Sequence, residues 1–129
     1  MPTNASPAHA WEPPLKLEER LKGMLPPRAR IAYLHDRNLR KGEPELRLVS
    51  ILADRRRVSI DVGANKGVYS YALLPHSKAV HAFEPNPKLF RVLSGWAQGQ
   101  VELHPEALSN VSEVADLLVP RSENGFSNQ

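Results

Sequence analysis

The sequence predicts an α/β domain built on an open, mostly parallel sheet. Short β-branched or apolar runs at residues 58–62, 79–83 and 101–104 alternate with segments whose apolar residues recur at helical spacing. The first run ends in a glycine-rich turn, and the second ends in a proline-containing turn that suits the start of a helix. This order of strands and helices is typical of parallel sheets with right-handed crossovers.

Composition limits the chain to one small domain with ordinary solubility. It has 129 residues, of which 41% are hydrophobic and 24% are charged. The 12 prolines exceed average usage and predict irregular stretches. The absence of cysteine excludes disulfides, thiolate metal sites and a cysteine nucleophile.

The N-terminal third is expected to precede the sheet. Residues 1–14 are rich in proline and small polar residues, so we expect a disordered arm. Residues 15–44 form an N-terminal helical segment that begins with a helix ended by Pro26, and 45–129 form the partial α/β domain. The apolar face of that first helix consists of Leu17, Leu21, Met24 and Leu25.

The first strand lies between two predicted helices. A helix is predicted over residues 45–53, with Pro44 in its first turn. The run at 58–62 then predicts a strand, because β-branched residues suit the pleated sheet. Pro75 limits the length of the next helix, whose apolar face consists of Val68, Tyr71 and Ala72.

The second half of the sheet follows the same scheme. A strand at 79–83 leads to Asn86, predicted as a helix N-cap, and Pro87, predicted as the first helical residue. A third strand is predicted at 101–104 and a fourth at 115–119, before a polar tail. The buried stripe of the intervening helix consists of Leu89, Phe90, Leu93 and Trp96.

The turn after the first strand predicts a nucleotide-like ligand. In open parallel sheets, ligands bind at the carboxyl ends of the strands, where glycines let the backbone approach them closely. Gly63 and Gly67 lie in this turn, and Asn65 between them tolerates left-handed geometry.

The residues around the turn favour a cation over a pyrophosphate. A dinucleotide-binding turn would have its second and third glycines where Asn65 and Val68 stand. The carboxylate of Asp61 near a phosphate would cost about 1 to 4 kcal/mol, whereas it attracts an ammonium or sulfonium group. S-adenosylmethionine carries both cations, so it is the predicted cofactor, and a nicotinamide-dependent oxidoreductase is the less favoured alternative.

A second acidic residue supports an adenosine ligand. Glu84 ends the second predicted strand, where a carboxylate can accept hydrogen bonds from both ribose hydroxyls. This position strengthens the predicted site without choosing between the two cofactors.

Three segments together resemble the FkbM-type methyltransferase family over about residues 45–125: Ile60-Asp61-Val62-Gly63-Ala64-Asn65-Lys66-Gly67, Ala82-Phe83-Glu84-Pro85-Asn86-Pro87 and Glu106-Ala107-Leu108-Ser109. The resemblance implies a Rossmann-like class I methyltransferase fold with helices on both faces of the sheet. It implies O-methyl transfer from S-adenosylmethionine to a sugar or another small molecule. The implied contacts are Asp61, Gly63, Ala64 and Asn65 at the methionine end, Glu84 and Pro85 at the ribose and adenine, and Ala107 and Leu108 beyond the adenine.

Three further site residues follow from their positions. Gly67 closes the turn, Tyr69 on the following helix is expected to border the cofactor, and Asn86 is expected to cap a helix and also to contact the ligand. No catalytic base stands out, and the histidines at positions 35, 76, 81 and 104 lack metal-ligand spacing, so no metal site is predicted.

One expected segment is absent from this sequence. The family continues with an aspartate-bearing strand beside the first strand, and nothing after Val119 resembles it. We therefore expect the cofactor-binding portion of the domain only, whether as a fragment, a natural truncation or a misassembled gene product. The alternative is a non-catalytic remnant or interaction module that self-associates through the exposed sheet edge at 58–62.

Charge and hydropathy limit the expected partners. The net charge of +3 is mild, and the basic run at 55–57 is shorter than a typical nucleic-acid patch, so no nucleic-acid partner is expected. No apolar run reaches membrane-spanning length and no signal peptide is recognisable, so no membrane contact and a cytoplasmic location are expected.

Overall fold

A computed structural model describes residues 23–118 of the chain. Its elements alternate between helices and strands from the first strand onward. In chain order they are helix α1 (Pro27–Lys41), a 3₁₀ helix (Pro44–Leu48), helix α2 (Val49–Leu52), strand β1 (Val58–Val62), helix α3 (Val68–Leu73), a second 3₁₀ helix (Leu74–His76), strand β2 (Ala79–Phe83), helix α4 (Pro87–Ala97) and strand β3 (Glu102–His104).

The three strands form one parallel sheet in the order β1-β2-β3. Val58 pairs with Ala79 at one end of the β1–β2 ladder, and Val62 pairs with Phe83 at the other. Helices α3 and α4 are the crossovers between successive strands. The prediction of an open parallel α/β sheet of Rossmann-like type is therefore confirmed.

The core lies between one face of the sheet and the helices. Val80 and Ala82 of β2 are buried against α4, which contributes Leu93, Trp96 and Ala97. Complete burial of a side chain such as Leu93 stabilises the fold by roughly 1.5 to 3 kcal/mol. Helix α1 contributes Ile31 to this core, and that residue is 2% exposed.

The opposite face of the sheet is open. Val58, Ile60 and Val62 alternate with inward-facing residues along β1, and they are 50%, 59% and 62% exposed. The resemblance implies helices on both faces, but within residues 23–118 the helices contribute to one layer of the core only. The second helical layer is thus not formed by the part of the chain that the structure describes.

Prolines and one asparagine set the ends of the helices. Asn86 caps α4 as predicted, because its side-chain oxygen accepts a hydrogen bond from the backbone N–H of Lys88 at 3.0 Å. Pro87 is the first residue of α4, where its missing N–H costs no hydrogen bond. Helix α3 ends at Leu73, and Pro75 lies in the 3₁₀ helix that follows, which confirms the predicted short helix.

The structure corrects the prediction for the N-terminal region. Pro27 begins the 15-residue helix α1, which lies within the helical segment predicted at 15–44 but whose bounds the sequence pattern did not reveal. The helix predicted over 45–53 is a 3₁₀ helix followed by a single α-helical turn. Gly23 and Met24 are helical and Leu25 is a bend, whereas the part of the predicted first helix before Gly23 and the arm at 1–14 lie outside the described residues.

The predicted fourth strand is wrong in its described part. Residues 115–118 have no regular structure and are exposed, and Leu118 is 90% exposed. An apolar run becomes a strand only where it pairs with a neighbouring strand, and these residues pair with neither outer strand of the described sheet. Within residues 23–118, no helix is both long and apolar enough to cross a membrane.

We expect Gly67→Ala to destabilise the fold by about 2 to 5 kcal/mol in urea unfolding, because a β-carbon adds overpacking to a left-handed backbone. Gly67 has φ +88°, and its added Cβ would lie 2.5 Å from atoms of Leu93 and Trp96. Gly95→Ala is the matched control, since its Cβ meets nothing within 4 Å in α4, and it should leave stability equal or higher. Equal losses in the two variants would contradict this packing.

Candidate functional site

The turn between β1 and α3 adopts a conformation that few residue types allow. Gly63, Asn65 and Gly67 all have positive φ, at 74°, 54° and 88°. The backbone N–H groups of Gly63 and Ala64 both donate to the carbonyl of Phe83 at 2.9 Å, so the turn is bound to the end of β2. These contacts place the turn at the carboxyl edge of the sheet, as predicted.

The far side of the turn is held by helix α4. The indole Nε1 of Trp96 donates to the carbonyl of Lys66 at 2.9 Å. Gly67 lies so close to the Trp96 ring that only a residue without a β-carbon fits. The ring of Tyr71 packs edge-on against Trp96, with centroids 5.7 Å apart. The turn is therefore rigidly supported before any ligand binds.

Glu84 joins the two loops at this edge. Its carboxylate is 5% exposed and accepts two backbone N–H groups at 2.8 Å, Asn65 to Oε2 and Asn86 to Oε1. Its own N–H donates to the carbonyl of His104 at 3.0 Å, which ties the loop to β3. The residue predicted to bind ribose thus also organises the protein around it.

Asp61 carries a half-buried charge with little compensation. Its Oδ2 accepts a 2.6 Å hydrogen bond from the hydroxyl of Ser70, which is fully buried. No basic side chain of residues 23–118 forms an ion pair with it. Burial raises the pKa of Asp61, the Ser70 hydrogen bond partly offsets that rise, and the charge of Glu84 adds to it.

A cavity of about 460 Å³ lies beside the turn. Gly63, Ala64, Asn65 and Tyr69 line one side, and residues of α1 and the loop after it line the other. Desolvation and a hydrogen bond to Glu43 raise the pKa of Tyr69 to about 12. The charge of Glu43 and those of Glu45 and Asp61 raise it further, which shows that negative charge surrounds this phenol.

The residues assigned to the adenine end lie in a different region. Glu84 and Pro85 line a cavity of about 380 Å³ that also includes Phe90 of α4. Pro85 further borders a wider cavity with Ala107 and Leu108, although Leu108 is 52% exposed. The structure therefore brings Pro85 to Ala107 and Leu108, but the segment after β3 is irregular and leaves that side open.

Several residues of the site did not emerge from the sequence. Ser70 is one of them. It lies on the helix that follows β1 and faces Asp61 of that strand, and this helical position is the signal that could have revealed it. Arg37, Asn38 and Glu43 also line the cavity, but they belong to α1 and its following loop, which the sequence pattern did not place near the sheet.

The four histidines of residues 23–118 do not form a metal centre. His81 and His104 lie on the open face of the sheet, with Nδ1 and Nε2 3.0 Å apart, and His104 stacks on Phe83. Among residues 23–118, no three side chains of the types that bind metals are grouped closely enough to hold an ion.

Comparison with known proteins gives limited similarity. No protein-family model and no curated protein matches the chain. Among solved structures, the YcgJ protein of Bacillus subtilis is 20% identical over 47% of this chain, with a TM-score of 0.41. CalS10 of Micromonospora echinaspora, an amino pentose methyltransferase solved with S-adenosylmethionine, is 18% identical over 74%, with a TM-score of 0.36.

The chain spans 28% of the YcgJ chain and 36% of the CalS10 chain. At these identities and TM-scores, the two structures carry no argument about a ligand or an activity of this chain.

We expect Asp61→Asn to gain stability relative to the wild type as pH rises. A carboxyl group whose pKa is raised by folding stabilises the native state while it is protonated, and this contribution is lost as pH rises through the raised pKa. Asparagine keeps an acceptor for Ser70 but carries no charge. Urea unfolding between about pH 4 and 7 measures the difference in free energy of unfolding between the two proteins. If the wild type became more stable relative to Asp61→Asn as pH rises, this prediction would be wrong.

Proposed function

We propose that this chain is the cofactor-binding portion of an S-adenosylmethionine-dependent methyltransferase. The observation that carries the proposal is the half-buried carboxylate of Asp61, which has a hydroxyl partner but no cationic one among the described residues. A cation bound at the turn would compensate this charge, whereas a pyrophosphate would be repelled by it.

The described residues fit S-adenosylmethionine on two counts. Its sulfonium and ammonium groups would compensate the carboxylates of Asp61 and Glu43, which form no ion pair among residues 23–118. At Gly63 an added β-carbon would meet nothing within 4 Å, so the backbone of the turn is open to a ligand. A turn with positive φ at three positions offers the close backbone approach that such a ligand needs.

Glu84 and its neighbours are proposed to hold the adenosine. A carboxylate offers roughly four acceptor positions, and backbone N–H groups use two of those on Glu84, so two remain for ribose hydroxyls. Pro85, Ala107 and Leu108 are proposed to border the adenine, and Asn86 combines its capping role with a position beside Glu84.

The proposed reaction is O-methyl transfer to a sugar or another small molecule, as in the FkbM-type family. When bound, S-adenosylmethionine supplies a methyl group already activated by the sulfonium charge. The residues of this chain bind and orient it, because alignment of the reactants accounts for much of the rate gain in such displacements. The acceptor hydroxyl must lose a proton to a base, and we assign that role to no residue of this chain.

Isothermal titration calorimetry on the full chain tests this proposal. We expect Asp61→Asn and Glu84→Gln each to weaken S-adenosylmethionine binding about tenfold or more, because each removes a charged acceptor. Asp54→Asn is the matched control, since Asp54 is a surface partner of Arg56, and it should leave affinity within about twofold. Unchanged S-adenosylmethionine affinity in Asp61→Asn and Glu84→Gln would overturn the proposal. Tighter binding of NAD than of S-adenosylmethionine would overturn it as well.

The exposed face of β1 supports a second candidate, self-association through the sheet edge. Strand β1 pairs only with β2 among the described residues, and its outward side chains are apolar and more than half exposed on average. An unpaired strand edge with an apolar face is a template for pairing with another chain.

We expect the full chain to form oligomers whose fraction rises with concentration in size-exclusion chromatography with light scattering. Ile60→Lys should shift it to monomer, because a lysine at the middle of an edge strand opposes pairing. Ile51→Lys is the matched control, since Ile51 is 76% exposed on α2, away from the sheet, and should behave like the wild type. A monomeric wild type at all concentrations would exclude this candidate.

A further inference from the structure

The cavity beside the glycine turn has a second wall whose chemistry the turn does not explain. Arg37 and Asn38 of α1, together with Glu43 just after it, face the residues of the turn across about 460 Å³. This wall thus places a cation, an amide and an anion within one cavity, next to Gly63 and Ala64.

Glu43 is held in position by the end of α1. The side-chain Nδ2 of Asn38 donates to Oε1 of Glu43 at 3.0 Å, and the backbone N–H of Glu43 donates to the carbonyl of Asn38 at 2.9 Å. No basic side chain of residues 23–118 lies within ion-pair distance of this carboxylate. Tyr69 also forms a hydrogen bond with this carboxylate. The charge of Glu43 is therefore held in place by two neutral side chains and has no cationic partner among the described residues.

Arg37 supplies the opposite charge from the neighbouring position on α1. Its side chain is exposed and lines the cavity, and within the described part of the chain it forms neither an ion pair nor a side-chain hydrogen bond. Arg40, one turn further along, differs because it already pairs with Asp36 at 3.0 Å. The guanidinium of Arg37 is thus free to bind a carboxylate in its planar, bidentate manner.

A cation and an anion in one cavity complement a zwitterion. We propose that the wall formed by Arg37 and Glu43 binds the α-amino-acid end of S-adenosylmethionine, with Glu43 receiving its ammonium group and Arg37 its carboxylate. This assignment rests on the proposed function and extends the site from the sheet to the N-terminal helical segment. Asn38 acts as a positioning residue that orients Glu43.

The experiment compares two ligands in calorimetry on the full chain. S-adenosylhomocysteine carries the amino-acid end, and 5′-methylthioadenosine is the same nucleoside without it. We expect Glu43→Gln and Arg37→Gln each to weaken S-adenosylhomocysteine about ten- to hundredfold, because each removes one charge-assisted contact. Both variants should bind 5′-methylthioadenosine within about twofold of the wild type, which also shows that they are folded. Arg40→Gln is the control and should change neither affinity.

Each outcome decides a separate question. Equal weakening of both ligands, or no weakening of S-adenosylhomocysteine, would overturn the assignment of Arg37 and Glu43 while leaving the proposed cofactor intact. A wild type that binds S-adenosylmethionine and neither of its analogues would also overturn the assignment. A wild type that binds none of the three nucleosides would overturn the proposed function itself, and the assignment with it.

Discussion

The two hydrogen bonds that Glu84 accepts fix the geometry of the whole carboxyl edge. One oxygen binds the N–H of Asn65 in the glycine turn, and the other binds the N–H of Asn86 at the start of α4. Because the backbone N–H of Glu84 also donates to the carbonyl of His104 in β3, this single residue joins the carboxyl ends of all three strands. Its charge is satisfied by the protein's own amides, so it costs little to bury.

Asp61 is the opposite case, and the contrast suggests where the ligand binds. It is half-buried near Glu84 with one hydroxyl partner, and desolvation raises its pKa. A fold selected for stability alone gains nothing from this charge, since an amide would satisfy Ser70 as well. Unfavourable electrostatics of this kind are common where a protein binds a charged ligand. We interpret this unfavourable charge as the counterpart of the cation binding proposed for the site.

Local chemistry made most of the sheet predictable. The β-branched run at 58–62, the run at 79–83 and the Asn86 cap with Pro87 each specify their element without help from the rest of the fold. The bounds of helix α1, inside the helical segment predicted at 15–44, were not predicted, because a proline pair can end one helix and begin another. The strand predicted at 115–119 is wrong in its described part, because residues 115–118 pair with neither outer strand of the sheet.

The site was predictable in part for the same reason. The glycine turn, Asp61 and Glu84 follow from short motifs, and the structure brings them to one edge. The hydrogen bond from Ser70 and the wall formed by Arg37 and Glu43 depend on tertiary packing. The most direct test is the pKa of Asp61 by carboxyl ¹³C NMR, assigned with Asp61→Asn, with and without S-adenosylmethionine. We expect the ligand to lower this pKa, whereas an unchanged or higher pKa would contradict cation binding beside Asp61.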